Sequence, residues 1–133
     1  MEYIRKFDTQ RGVIRVDIRN ELEHVGFIAY DTLAEYVFRA IGVDDYMLDT
    51  RLVYVGDYQG DVLFIQRDPD YNGFLVGRLT YGSCSGCDTL KHILSGVKAD
   101  YDDDKETFEF DEKVVDDLVT LCLHIFESLT RIR

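Results

Sequence analysis

Residues 52–82 read LVYVGDYQGDVLFIQRDPDYNGFLVGRLTYG, which is three apolar runs separated by two short polar segments. The runs cover residues 52–55, 62–65 and 74–81, and the second polar segment holds Pro69, the single proline of the chain. Short segments rich in Gly, Asp, Asn and Pro favour tight turns between antiparallel strands. The stretch therefore predicts a three-stranded antiparallel meander.

Helical patterns precede this meander. Asp31 is placed to cap a helix over residues 32–41, whose apolar residues recur at helical spacing until Gly42 ends the pattern. The segment before it is ambiguous, because residues 13–18 partly alternate like a strand whereas residues 17–25 also fit a charged helix. At least one helix is therefore expected on the N-terminal side of the strands.

Further helical patterns follow the strands. A short helix ending at Gly96 leads into an acidic linker, and Asp111 then caps a long C-terminal helix with Arg131 at its end. The long helix has one apolar stripe, formed by Val115, Leu118, Cys122, Ile125 and Leu129. Helices before and after strands that are joined by turns predict an α+β fold with the helices packed over one sheet face.

The length and composition of the chain predict one compact globular domain. The chain has 133 residues with a 46% hydrophobic share, so a single domain over residues 1–133 buries roughly two-thirds of its unfolded surface. The first residues lack the apolar run of a signal peptide, and the longest apolar stretch, residues 25–30, is too short to span a bilayer. A cytoplasmic location with reduced thiols and no membrane partner is expected.

Negative charge is concentrated late in the chain. The formal net charge is -11, and residues 100–117 carry ten acidic residues against Lys105 and Lys113. Because an acidic surface repels phosphates, direct nucleic-acid binding is disfavoured. Two interpretations stay open, a solvated face that keeps the protein dissolved or a surface that docks on a basic nucleic-acid-binding protein. The candidate partner-binding residues are Asp100, Asp102, Asp103, Asp104, Glu106 and Glu109.

Residues 81–88 read YGSCSGCD and hold Cys84 and Cys87, two of the three cysteines. Two thiols on a tight turn can bind one metal ion or close a disulfide. For zinc, Cys122 or His92 would complete the shell, so the candidate ligands are Cys84, Cys87, Cys122 and His92. Two plainer interpretations stay open, reduced thiols in a tight turn and, for Cys122, a small buried apolar residue.

Thiol–disulfide exchange is the alternative chemistry for this turn. Redox enzymes also place a Cys-x-x-Cys pair where a strand meets a helix N-terminus, which lowers the pKa of one thiol. Here a meander precedes the motif instead of a βαβ unit, and Asp88 beside Cys87 opposes a second negative charge. Asp88 fits the cap of the short helix better than a ligand.

Two resemblances concern the same motif. Residues 82–88 are similar to the proximal cysteine pair of hydrogenase small subunits, which ligates an iron–sulfur cluster, but only Cys122 remains to complete a four-thiolate set. Residues 56–61, which read GDYQGD, and the later YGSCSGCD resemble a group of small uncharacterised phage and bacterial proteins. A small, strongly acidic phage protein looks like an inhibitor of host defence, such as an anti-CRISPR protein, which implies a basic host nuclease as partner.

The sequence leaves three functions in contention. The first is an acidic binding protein that inhibits a host defence nuclease by protein–protein contact, with a structural zinc at the cysteine turn. The second is a thiol–disulfide redox protein that uses Cys84 and Cys87. The third is a structural or assembly subunit. No Gly-rich phosphate loop or Ser/His/Asp set is present, and the three histidines are scattered, so enzymatic activity is not expected.

Overall fold

The computed structural model describes residues 2–82, 88–102 and 105–132. The elements in chain order are α1 (Glu2–Val25), α2 (Tyr30–Ala40), β1 (Arg51–Gly56), β2 (Gln59–Arg67), β3 (Phe74–Gly82), α3 (Thr89–Leu94), β4 (Lys98–Asp102), β5 (Lys105–Glu109), α4 (Glu112–Glu127) and β6 (Thr130–Ile132). A 3-10 turn at Asp45–Met47 connects α2 to β1. Helices lie before and after an antiparallel sheet, which confirms the α+β prediction.

Four strands form the main sheet in the order β1-β2-β3-β6, and every neighbouring pair is antiparallel. Strands β1 to β3 are the predicted meander. Gly56 and Gly60 face each other across the first turn, where Gly56 has a φ of 117° and a Cβ on either glycine would collide with backbone atoms. These two glycines therefore allow β1 and β2 to join through a tight turn.

One face of the sheet packs against the helices. Along β2 the side chains of Val62, Phe64 and Gln66 are buried, which is the period of two expected for a strand covered on one side. Gly77 of β3 lies opposite Phe64, and a Cβ at this glycine would lie 3.0 Å from Cγ2 of Ile125 in α4. The missing side chain lets α4 approach the sheet closely.

The ambiguous N-terminal segment is one helix of 24 residues. Residues spaced by three, four or seven share a helix face, and the buried face of α1 consists of Phe7, Ile14, Ile18 and Leu22. Val16, which alternates with Ile14 and Ile18 in the strand-like pattern, is 55% exposed, and Val13 is 51% exposed. The ring of Phe7 also stacks on Phe126 of α4, with centroids 4.4 Å apart.

Helix α2 begins at Tyr30 with Ala29 at the N-cap position, so the prediction that Asp31 caps this helix is wrong. Asp31 lies in the first turn of α2, where a negative charge favours the helix N-terminus.

Two further segments differ from the sequence prediction. The expected acidic linker is the hairpin β4–β5, which is held to the helical layer because the ring of Phe108 lies against Gly26, a residue with a φ of 74°. Arg131 was expected at the end of a helix, but it lies in β6, which pairs with β3. The Nε atom of Arg131 is 2.5 Å from a carboxylate oxygen of Asp68, whose side chain is fully buried. This ion pair and the hydrogen bonds to β3 favour a strand at residues 130–132 over a continuation of α4.

Candidate functional site

The cysteine motif lies in the chain between β3 and α3. Cys84 and Cys87 lie in residues 83–87, outside the described residues, whereas both flanks are described. The carboxylate of Asp88 accepts hydrogen bonds from the amide of Gly82 at 2.9 Å and from the amide of Lys91 at 3.0 Å. One side chain therefore ties the end of β3 to the first turn of α3, and the prediction that Asp88 caps this helix is confirmed.

Asp88 is also bound to α2. It is only 2% exposed, and the hydroxyl of Tyr30 donates to it, with 2.7 Å to each carboxylate oxygen. Burial opposes ionisation of Asp88, but the bonds from Gly82, Lys91 and Tyr30 outweigh it, so its pKa lies below the ordinary value of 3.8. Burial and the bond to Asp88 raise the pKa of Tyr30. The carboxylate is fully engaged by these donors, as expected of a structural group.

The two remaining candidate zinc ligands lie in different environments. Cys122 is fully buried and its Sγ contacts the carbonyl oxygen of Leu33 at 3.8 Å, and burial raises the pKa of this thiol. His92 is exposed on α3, and His124 is exposed on α4. Within the three described ranges, no group of three or more His, Cys, Asp or Glu is arranged to hold a metal ion. Since a metal binds the thiolate form, the position of Cys122 agrees with the interpretation of a buried apolar residue.

We expect Cys122→Ala to lower the free energy of unfolding by about 1 kcal/mol, because it removes one buried sulfur atom from a close-packed core. Its zinc content should equal that of the wild-type protein. Urea unfolding and elemental analysis measure the two quantities, with Cys84→Ser/Cys87→Ser as the matched variant of the turn. Stoichiometric zinc that disappears in Cys122→Ala would place this thiol in a metal shell and contradict its assignment to the core.

The acidic candidates lie on the β4–β5 hairpin. Tyr101 and Glu106 face each other across the hairpin, and the hydroxyl of Tyr101 donates to the carboxylate of Glu106 at 3.0 Å. Asp103 and Asp104 fall outside the described residues. The four remaining candidates are described and exposed: Asp100, Asp102, Glu106 and Glu109. The structure therefore brings the described acidic candidates together on one small hairpin.

Acidic residues of α4 form ion pairs with arginines of α1, unlike the described acidic residues of the hairpin. Arg15 contacts Glu112 and Asp116, and Arg19 contacts Glu112, each at 2.5 Å. These contacts join α1 to α4 and neutralise the start of α4. Among the described residues, no ion pair involves the carboxylates of the hairpin. The hairpin carries four described carboxylates against Lys98 and Lys105, so it keeps a net negative charge.

The outer face of the main sheet is a surface that the sequence analysis missed. The cross-strand register places seven apolar residues on the side away from the helices: Val53, Val55, Leu63, Ile65, Phe74, Val76 and Ile132. Several are substantially exposed, with Val55 at 53% and Ile132 at 49%. Arg51, Arg67 and Arg78 share this face, and Asp61 is the one acidic residue among its described members. The sequence signal for this surface was that β3 carries apolar residues on both of its faces and not only on the face toward the helices.

Comparison of the chain with protein-family models, with curated proteins and with solved structures finds no match. The surfaces are therefore interpreted from their own geometry. Over the described residues, no helix combines the length and the apolar character that crossing a bilayer requires. The 24-residue α1 is long enough, but it carries charged residues along most of its length.

Proposed function

We propose that this chain is an acidic binding protein that docks the β4–β5 hairpin on a basic partner protein. The observation that supports this proposal is the set of exposed carboxylates around Tyr101, which form no ion pair within the described part of the chain, and Tyr101 itself is 74% exposed. Tyrosine is enriched among the residues that dominate binding energy. Complementary charge accelerates association and fixes the orientation of the partners. The hairpin combines both features on one projecting element.

The chemistry of the hairpin suits a partner that binds nucleic acid. Carboxylates spaced along two strands can occupy a basic groove that phosphates would otherwise fill. An inhibitor of a host defence nuclease, of the anti-CRISPR kind and acting in the host cytoplasm, is the specific form of this proposal. A zinc ion at Cys84 and Cys87 would add rigidity to the turn before α3 without taking part in the contact.

Neutralising the hairpin should weaken partner binding about tenfold, because three favourable charge contacts are lost. The variant Asp100→Asn/Asp102→Asn/Glu106→Gln is compared with a control that removes the same number of charges elsewhere. The control carries Glu23→Gln, Asp44→Asn and Asp57→Asn, all at exposed positions outside the hairpin. Affinity capture from host lysate at low salt, followed by titration of the retained protein, measures both. Equal losses in the two variants would show that only the net charge matters.

The outer sheet face favours a second candidate function, that of an assembly subunit. Among its described residues this face combines aliphatic side chains and arginine with one acid and no lysine. Interfaces between proteins are likewise enriched in arginine and depleted in lysine and acidic residues. We expect such a subunit to form a defined oligomer without any partner, and Val53→Thr/Val55→Thr to shift it toward monomer, as measured by sedimentation velocity. A wild-type protein that stays monomeric at high concentration would exclude this candidate and leave the hairpin contact untouched.

A further inference from the structure

A cavity of about 420 Å³ lies beside the edge strand β1, between the sheet, the loop before α2 and helix α3. Its volume falls in the range of small-ligand sites, roughly 300–1,000 Å³. The lining includes three aromatic residues, Phe27, Tyr30 and Tyr54, together with Leu52 and Leu94. The cavity shares no residue with the β4–β5 hairpin, so its occupant is independent of the proposed partner contact.

Two of the three aromatic walls are held by contacts within the protein. Tyr54 meets Tyr81 edge to face, with centroids 5.1 Å apart and an angle of 89° between the rings. Tyr30 is held by its hydrogen bonds to Asp88. Phe27 and Tyr54 are each 54% exposed, so both present ring surface to an incoming group. A site whose walls are already ordered loses little entropy on binding.

The charges around this cavity favour a cation. Asp31 lines it and accepts a hydrogen bond from the Thr32 amide at 2.9 Å, and among the described residues it forms no ion pair. Lys91 is the one basic residue among the described lining residues. The carboxylate of Asp88 lies next to the cavity wall, with each oxygen 2.7 Å from the hydroxyl of Tyr30. Two carboxylates therefore lie near one lysine, which leaves a net negative charge beside the aromatic rings.

We propose that this cavity binds an alkylated ammonium group carried on an apolar body. Aromatic faces attract cations through their quadrupole, most strongly where water is partly excluded, and quaternary ammonium groups are recognised in this way. Phe27, Tyr30 and Tyr54 supply the ring faces and Asp31 supplies the counter-charge. Free small molecules and methylated lysine side chains both carry this group.

Choline and its neutral isostere 3,3-dimethylbutan-1-ol are the probes, because they differ in charge and match in shape. Amide chemical shifts of the 15N-labelled protein should respond to choline around residues 27–31 and 52–54. Choline should bind about tenfold more tightly than the alcohol. Equal binding of the two, or no response at these amides to choline, would overturn the proposal. A trimethyllysine peptide and its unmodified form, run in parallel, distinguish the two sources of the group.

Variants separate aromatic recognition from a plain apolar cavity. Phe27→Leu/Tyr54→Leu keeps apolar volume but removes two ring faces, so the preference for choline over the alcohol should disappear. Asp31→Asn should weaken choline binding severalfold and leave the alcohol unaffected. Tyr58→Ala, at a 79% exposed tyrosine of the β1–β2 turn, is the matched control and should change neither. A preference for choline that survives the leucine variant would also contradict the proposal.

Discussion

Asp88→Ala is expected to lower the free energy of unfolding by about 3–5 kcal/mol, since it leaves one buried and two partly buried donors without a partner. The substitution leaves the hydroxyl of Tyr30 and the amide of Gly82 without their acceptor. It also removes the helix cap that accepts a hydrogen bond from the amide of Lys91. These groups come from α2, β3 and α3, so the loss affects three elements together. Urea unfolding followed by circular dichroism measures it.

Two smaller changes test the assignment of this effect to Asp88. Tyr30→Phe removes one donor and keeps the ring, and it should cost about 1 kcal/mol. Asp88→Asn keeps the shape and one acceptor oxygen, so its cost should lie between those of Tyr30→Phe and Asp88→Ala. An Asp88→Ala variant as stable as the wild-type protein would show that this carboxylate does not hold the turn.

The same carboxylate gives a pH dependence with a defined sign. The pKa of Asp88 is lower in the folded chain than its ordinary value of 3.8, so the folded state binds this proton less readily than the unfolded state. The stabilisation is fully present above the unfolded pKa and is lost as the pH falls through the folded pKa. Asp88→Asn should therefore lose less stability than the wild-type protein between neutral pH and the acid range.

Gln66→Leu is expected to lower the free energy of unfolding by about 3 kcal/mol, although leucine is apolar and of similar size. Gln66 is fully buried. Its Oε1 accepts from the amide of Asp49 and from the hydroxyl of Thr50, and its Nε2 donates to the carbonyl oxygens of Met47 and Arg67. The substitution leaves these backbone groups without a partner and loosens the connection into β1. Thermal and urea unfolding measure the cost.

Thr50→Val is the matched control for Gln66, because it removes only one of these bonds and nearly preserves the side-chain shape. Its cost should be about 1 kcal/mol. A Gln66→Leu variant within the error of the wild-type stability would mean that water or rearranged backbone replaces the amide. The connection would then owe its conformation to packing alone.

The meander was predictable because its evidence is local. Two glycines at the first turn and apolar runs bounded by short polar segments define strands without reference to the rest of the chain. The hairpin β4–β5 was missed because Asp100 and Asp102 have low strand propensity and local patterning gives no sign of pairing. Its fold depends on Phe108 against Gly26, a contact between distant parts of the chain. Three-residue β6 depends on β3 in the same way.

The site was predictable in part. Acidic composition located the hairpin charges, and spacing identified Asp88 as a helix cap. The sequence could not show which acids are neutralised, since Arg15 meets Glu112 across 97 positions of the chain. It also could not bring Tyr30 to Asp88, or show that one sheet face is left uncovered. These ion pairs, the bond from Tyr30 to Asp88 and the exposed sheet face arise only when the helices pack on the sheet.

Site-specific photo-cross-linking from the hairpin tests the proposed contact most directly. Tyr101→p-benzoylphenylalanine places the photoreactive group among the hairpin carboxylates, and the same change at Tyr46 is the control, because this tyrosine is 86% exposed and belongs to the 3-10 turn. Irradiation in the cells that produce the protein, followed by mass spectrometry, identifies the adducts. We predict one basic protein linked from Tyr101, absent from Tyr46 and depleted by Asp100→Asn/Asp102→Asn/Glu106→Gln. Identical adducts from both positions, or an acidic protein linked from Tyr101, would contradict docking through the hairpin.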